Sequence, residues 1–141
     1  MLSVSKLESA LFTLLTEFFV DSDITFSVNY PKTKNELYNG KTIITFSAIS
    51  DDIEGSIISR DIIHPLVSFL VFNANYAKNR QIQESLIEYL QSLNPFNLIM
   101  LNQESNHSYL ARRIPPIFDK SFEIFISGVD YRFHIRNRSL P

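Results

Sequence analysis

Residues 68–76 read SFLVFNANY and join an apolar segment directly to a helical one. The Phe and Val content of this segment predicts a strand, which we extend from Leu66 to Tyr76. Apolar residues then recur at helical spacing, so we expect an amphipathic helix that Asn79 caps and Asn94-Pro95 terminates. The buried stripe of this helix consists of Ile82, Leu86, Tyr89, Leu90 and Leu93.

A helix and two longer strands are predicted before this segment, in addition to a short strand at 56–59. Ser5 and Glu8 have the spacing of a capping box, and leucines and phenylalanines follow at three- and four-residue intervals until about Phe19. Strict alternation of apolar and polar residues over Ile24–Tyr30 predicts a strand with one buried face. Residues 42–49 are apolar on both faces at several positions, which is typical of a central strand.

Shorter elements account for the other segments of the chain. The acidic run Asp51–Gly55 predicts a β-turn, and two consecutive prolines predict an extended break, not a helix, over Ile114–Ile117. Short strands are expected at 56–59 and 97–101, and polar loops at 31–40 and 102–109. Together these elements predict a single α+β domain over residues 1–141. It has a mixed or antiparallel sheet, an N-terminal amphipathic helix and one further helix packed on the sheet.

The C-terminal residues form two adjacent alternating segments, which predict a β-hairpin. Apolar residues occupy alternate positions in 122–126 and again in 131–135, but with opposite parity. A two-residue type II′ turn at Gly128-Val129 brings both apolar sets onto one face. In this register the side chain of Arg132 can stack on Phe125, which lies across from it. A four-residue loop that displaces the pairing by two residues is the alternative that keeps both faces.

The polar face of the predicted hairpin is basic. We predict an interaction surface formed by Arg112, Arg113, Phe125, Arg132, His134, Arg136 and Arg138. Guanidinium groups bind carboxylates and phosphates in bidentate geometry, so the basic face of the hairpin suits contact with an acidic protein surface or a phosphate backbone. The alternative is a solvated hairpin whose charges only discourage aggregation at the sheet edge.

Charge is unevenly distributed along the 141 residues, although the net charge is only −2. Residues 1–61 contain nine acidic and five basic side chains, whereas residues 112–141 contain six basic and three acidic ones. The near-neutral total therefore combines an acidic first half with an Arg-rich end, and the surface of the folded chain is expected to be charged.

Composition and motif spacing exclude several classes of site. The chain has no cysteine, three glycines and three histidines, so it lacks thiol chemistry, nucleotide-binding glycine loops and metal-binding histidine spacing. Tyr131 and Phe133 share the face opposite the arginines, so no aromatic platform for nucleic acid is expected. We predict no catalytic, cofactor-binding or metal-binding residues. We also predict no membrane contact, since the longest charge-free apolar run, 65–74, is too short to cross a bilayer.

The order of elements resembles that of the tail terminator, or tail-completion, proteins of long-tailed bacteriophages. The stretches that carry this resemblance are the helix Leu2–Phe19, residues 68–76 with the helix Asn79–Leu93, and the terminal strand Tyr131–Arg138. The resemblance implies a structural protein without catalytic residues or cofactors. It implies a ring of copies, usually six, that caps the tail tube, joins it to the head and lets DNA pass without reading its sequence. The location that it implies is the virion, after assembly in the host cytoplasm.

Two other functions are compatible with these residues. One is a small cytoplasmic protein-binding module, such as an immunity protein or an assembly chaperone, that works as a monomer or dimer. The other is an enzyme whose site is assembled from residues far apart in the sequence. Oligomeric state separates the ring from the binding module, because a six-subunit ring has about six times the 16.3 kDa mass of one chain.

Overall fold

The computed structural model describes residues 4–20, 23–27, 41–54, 62–92, 109–133 and 135–136. Within these ranges the chain forms two helices and six strands. In chain order they are α1 (Val4–Phe18), β1 (Ile24–Ser27), β2 (Thr42–Glu54), β3 (Ile62–Asn73), α2 (Tyr76–Ser92), β4 (Tyr109–Asp119), β5 (Ile124–Arg132) and β6 (Ile135–Arg136). The predicted α+β class is confirmed, with an N-terminal helix and a second helix that packs on the sheet.

The strands form one mixed sheet in the order β1-β2-β3-β5-β4, and β6 pairs with the first residues of β3. β1 runs parallel to β2, and the other neighbouring pairs are antiparallel. β3 lies at the centre, where Phe69 pairs with Phe46 of β2 and with Val129 of β5. β2 and β3 are both interior strands, which explains why the sequence of each is apolar on both faces.

Both helices pack on one face of the sheet and enclose the main core. α1 lies against β1 and β2, and α2 lies against β3, β5 and β4. The main core includes the buried side chains of Leu11, Leu15, Ile44, Phe46, Val67, Phe69, Val71, Leu86, Leu90, Val129, Tyr131 and Phe133. A second apolar cluster contains Ile43, Phe72 and Ile124, with Leu70, Phe122 and Ile126 packed against it. Strand alternation places this second cluster on the face away from the helices.

A C-terminal hairpin is present, but its position differs from the predicted one. β4 and β5 form it through residues 120–123, and β5 runs without a break through Gly128-Val129. The apolar residues of β5 change face along the strand, because Ile124 belongs to the second cluster whereas Tyr131 belongs to the main core. The change of parity that predicted a turn therefore reflects a strand with two buried faces.

The predicted N-cap of α2 is also wrong, because Asn75 caps this helix. The side-chain oxygen of Asn75 accepts a hydrogen bond from the backbone N–H three residues further on at 3.0 Å. Asn79 lies one turn inside the helix and is fully buried against the sheet. Its Nδ2 donates to the carbonyls of Val71 on β3 and Phe125 on β5, each at 2.9 Å. Its Oδ1 accepts from Ser127 Oγ at 2.5 Å, so Asn79 joins the helix to two strands.

Two further boundaries differ from the sequence prediction. The strand expected to reach Tyr76 ends at Asn73, whose side-chain oxygen accepts a hydrogen bond from Asn75 N at 2.7 Å and turns the chain. Residues 51–54 continue β2 instead of forming a turn, because β3 begins at Ile62 and pairs with them. Other predicted features lie outside the described residues: the strands at 56–59 and 97–101, the loop at 31–40, residues 102–108 of the second loop, and the helix end at 94–95.

β4 remains extended across its two prolines, as predicted, but the strand continues beyond them. Its register with β5 is irregular between Ile114 and Ile117, where the prolines have no N–H to donate. At this irregularity Gln83 Nε2 of α2 donates to the carbonyls of Ile114 at 2.7 Å and Gly128 at 2.9 Å. These two hydrogen bonds of the fully buried Gln83 hold α2 in place over β4 and β5.

Candidate functional site

β4 is an edge strand whose side chains alternate between the two faces of the sheet. Among the described residues it pairs only with β5. Arg112 pairs with Asp130, and Arg113 pairs with Val129, whose side chain lies in the main core. Neighbouring residues of a strand point to opposite faces, so Arg113 projects on the helix side and Arg112 on the other side. The two predicted arginines therefore belong to different surfaces.

An exposed group of aromatic and arginine side chains lies where α2 begins beside the β4–β5 hairpin. The ring of Phe125 contacts those of Tyr76 and Phe118 edge to face, with centroids 5.5 and 5.4 Å apart. Tyr76 is 44% exposed and Phe118 is 50% exposed, so a large part of both rings faces solvent. We define the aromatic–arginine patch as Tyr76, Arg80, Arg113, Phe118 and Phe125.

This patch carries an excess of positive charge. Arg80 lies one helical turn after Tyr76, and its Nη1 donates to the Tyr76 hydroxyl at 3.1 Å. Arg80 Nε lies 3.7 Å from Glu84 Oε1, and Arg113 Nη2 lies 3.2 Å from the same oxygen. One carboxylate thus faces two guanidinium groups, and exposed pairs of this kind hold their partners weakly. The patch can therefore accept a further carboxylate from a binding partner.

A second exposed group lies at the end of α1. Phe18 is 45% exposed and Val20 is 84% exposed, although both are apolar. The exposed acidic residues Glu17 and Asp23 flank them in the chain. The ring of Phe18 stacks on Tyr89 of α2, with centroids 4.0 Å apart and 18° between the ring planes. We define the acidic–apolar patch as Glu17, Phe18, Val20 and Asp23.

Tyr89 connects the acidic–apolar patch to the helix layer. Its hydroxyl donates to the carbonyl of Leu14 at 3.1 Å, which joins α2 to α1. Burial raises the pKa of Tyr89 above its ordinary value of 10.0, and the negative charge of Glu17 raises it further. The phenol therefore keeps its proton, and with it this hydrogen bond, to higher pH than a free tyrosine.

The structure distributes the predicted interaction residues over separate surfaces. Arg113 and Phe125 belong to the aromatic–arginine patch. Arg112 and Arg132 lie on the face of the sheet away from the helices, since they pair with Asp130 and Tyr109 on that face. Arg132 is half-buried there, whereas Arg112 is exposed. The four described residues thus divide into two pairs, one on each face of the sheet.

The predicted stacking of Arg132 on Phe125 is wrong. Both residues lie on β5, seven positions apart, and they point to opposite faces of the sheet. At about 3.3 Å per strand residue, roughly 23 Å separates their backbones. Arg136 lies in β6, where it pairs with Ile62 at the start of β3. His134 and Arg138 lie outside the described residues.

Three residues of the aromatic–arginine patch were not predicted from the sequence: Tyr76, Arg80 and Phe118. The sequence pattern predicts Tyr76 at the end of a strand, whereas it is the first residue of α2. The four-residue spacing of Tyr76, Arg80 and Glu84 places them along one side of a helix, and this signal is visible in the sequence. Their contact with β4 and β5 depends on tertiary packing.

The two patches combine apolar and charged side chains, and no candidate metal site lies among the described residues. The described part of the chain contains no group of three His, Cys, Asp or Glu side chains that could hold a metal ion. Neither of the two described helices has the length and apolar character needed to cross a membrane. Each patch combines exposed apolar surface with charge, which allows a partner to be held by apolar contacts together with ion pairs.

Comparison with known proteins does not assign the chain to a family. No protein-family model matches the sequence, and no curated protein is similar enough to count as a match. The function is therefore inferred from the fold of the chain and from its two exposed patches.

Proposed function

We propose that the chain is a non-enzymatic structural protein of a phage or phage-like tail, in which copies form a ring that caps the tail tube and joins it to the head. The observation that supports this proposal is the placement of two unlike patches at different ends and on different flanks of α2. The aromatic–arginine patch lies at the β4 edge, and the acidic–apolar patch follows α1, which packs at the β1–β2 side. Ring subunits need two unlike surfaces, because each meets its two neighbours through different faces.

The proposal also draws on the resemblance to tail terminator proteins. In the described residues one helix, three strands, a second helix and three further strands follow one another, and the first two of these last strands form a hairpin. In this function the partners are further copies of the chain, the tail tube and the head connector. DNA passes through the ring without sequence-specific contacts, and no cofactor takes part. The protein acts in the virion after assembly in the host cytoplasm.

Measurement of mass and shape tests this proposal. The purified chain is analysed by native mass spectrometry and negative-stain electron microscopy, alone and mixed with tail tubes built from the tube protein of the same genome. A closed ring on the tube ends, with about six times the 16.3 kDa mass of one chain, is the expected result. A chain that stays monomeric at high concentration and leaves the tube ends bare would contradict it.

The second candidate is a small cytoplasmic protein-binding module, such as an immunity protein or an assembly chaperone. The composition of the aromatic–arginine patch favours this reading as well, because tyrosine and arginine are enriched at the energetic centres of interfaces. In that case the patch binds an acidic surface of a different protein, and the chain binds it as a monomer or dimer. The mass measurement separates the two functions, since only the first requires association of many copies.

A further inference from the structure

The two patches lie too far apart to contact one another within one chain. Tyr76 belongs to the aromatic–arginine patch at the start of α2, and Tyr89 underlies the acidic–apolar patch near the end of this helix. Thirteen residues separate them, which corresponds to about 20 Å along a helix axis. The patches also lie on different flanks of α2, since Arg113 on β4 contacts one flank and Leu14 on α1 contacts the other.

The two patches are complementary in chemistry. Arg80 and Arg113 share the single carboxylate of Glu84, so a second carboxylate would complete the pairing. Glu17 supplies one next to the exposed side chains of Phe18 and Val20, which are apolar. These apolar groups match the exposed rings of the aromatic–arginine patch, and ion pairs that are shielded from water at the centre of an interface gain strength.

We propose that the acidic–apolar patch of one copy binds the aromatic–arginine patch of the next copy, with Phe18 and Val20 against the rings of Tyr76 and Phe118. In this contact Glu17 approaches Arg113. The proposal rests on the ring function stated above and names the two surfaces that would form each subunit contact. Each contact joins unlike patches, because pairing like patches would place two arginine groups or two acidic groups opposite each other. In a ring this arrangement is head-to-tail.

Exchange of charges between two variants tests the contact directly. Glu17→Arg damages one patch and Arg113→Glu damages the other, so each variant alone should associate at least tenfold more weakly than wild type in sedimentation velocity. An equimolar mixture should recover most of the association. In the mixture, Glu17 of the Arg113→Glu copy can meet Arg113 of the Glu17→Arg copy. The other contact joins the arginine introduced at position 17 to the glutamate introduced at position 113. Equal weakness of the mixture and of the single variants would overturn the proposal.

A matched control lies next to Arg113 on the same strand. Arg112→Glu makes the same change of charge, but its side chain projects from the other face of the sheet, outside the aromatic–arginine patch. Association of this variant should equal that of wild type. If both substitutions weaken association equally, the effect is one of net charge, and the proposed contact is wrong. Thermal unfolding of all variants confirms that each is folded.

Cysteine cross-linking detects the contact even where association is weak. The chain has no cysteine, so single cysteines can be introduced without background. Copies with Val20→Cys and copies with Phe118→Cys are mixed and oxidised. Random pairing of equal amounts would give as much mixed dimer as the two like dimers together. We expect at least five times more mixed dimer than like dimers. A random ratio, or dimers of one variant only, would refute head-to-tail docking and would assign the patches to another partner.

The outcomes also separate this proposal from the ring function on which it rests. Rings of normal size from both Glu17→Arg and Arg113→Glu would refute the assigned contact and leave the ring function standing. Head-to-tail cross-links from a protein that leaves tail tubes bare would support the contact and refute the tail function.

Discussion

Substitution of Asn79 by aspartate should damage the protein far more than the same substitution at Asn75. The side chain of Asn75 accepts one hydrogen bond at the start of α2, and aspartate is as good an acceptor there as asparagine. Asn79 must instead donate, because its Nδ2 bonds the carbonyls of Val71 and Phe125 at 2.9 Å each. A carboxylate cannot donate and would face two carbonyl oxygens in a site without solvent exposure.

The size of this effect follows from the groups that lose their partners. Two hydrogen bonds disappear at about 1 kcal/mol each, and the buried groups left unpaired cost about 1–3 kcal/mol more. We therefore expect Asn79→Asp to lower the free energy of unfolding by about 4 kcal/mol, which corresponds to a fall in Tm of roughly 10 °C for a domain of this size. Asn75→Asp should stay within about 0.5 kcal/mol of wild type.

Urea unfolding followed by circular dichroism measures both variants against wild type, with the slope of the transition checked for each. If Asn79 acted only as a helix cap, the two substitutions would have similar, small effects. A loss below about 1 kcal/mol for Asn79→Asp would therefore refute the bridge between α2 and the two strands.

Two further predictions concern Gly128 and Tyr89. A Cβ at Gly128 would lie 3.2 Å from Ile114 Cδ1, so Gly128→Ala should cost about 1–2 kcal/mol by overpacking. This cost should shrink in part in an Ile114→Ala background, which removes Cδ1 and keeps the Ile114 Cβ at 3.3 Å from the added carbon. Fully additive losses in a urea double-mutant cycle would argue against the contact with Cδ1. Because the pKa of Tyr89 is raised in the folded protein, its contribution to stability is complete below pH 10 and is lost as pH rises through the folded pKa. Above pH 10 the free energy of unfolding of Tyr89→Phe should therefore fall less steeply with pH than that of wild type. Glu17→Gln should lower the pKa of Tyr89 in an absorbance titration at 295 nm. Identical dependence of stability on alkaline pH in Tyr89→Phe and wild type would contradict this prediction.

The elements that were predicted well are those whose pattern depends on one buried face or on uniform burial. α1 and α2 carry apolar stripes at helical spacing, and Ile82, Leu86 and Leu90 of α2 are buried as expected. The apolar segments at 42–49 and 66–73 are interior strands. Tyr131 and Phe133 share a face, as predicted, because both side chains are buried in the main core on the helix side of the sheet. Their ring centroids lie 5.0 Å apart.

The predicted hairpin differs from the observed one because two different apolar clusters, one on each face of the sheet, bury the residues of β5. Periodicity reports which side chains are buried, but it does not report what covers them. In β5 the buried residues shift from the second cluster to the main core, and a pattern with this shift looks the same as two strands joined by a turn. The sequence does not distinguish the two roles of Asn79 either, since a cap and a buried bridge both place an asparagine near the start of a helix.

Local patterns in the amino-acid sequence predict the α+β class, the two amphipathic helices, the apolar interior strands and the contrast between an acidic first half and an Arg-rich end. These properties follow from local periodicity and composition, which do not depend on distant residues. Three features become visible only in the folded chain: the position of the hairpin, the separation of Arg112 from Arg113, and the meeting of Tyr76, Arg80 and Phe118 at one surface. These features arise from the pairing of β4 with β5 and from the docking of α2 on both strands, which local periodicity does not report.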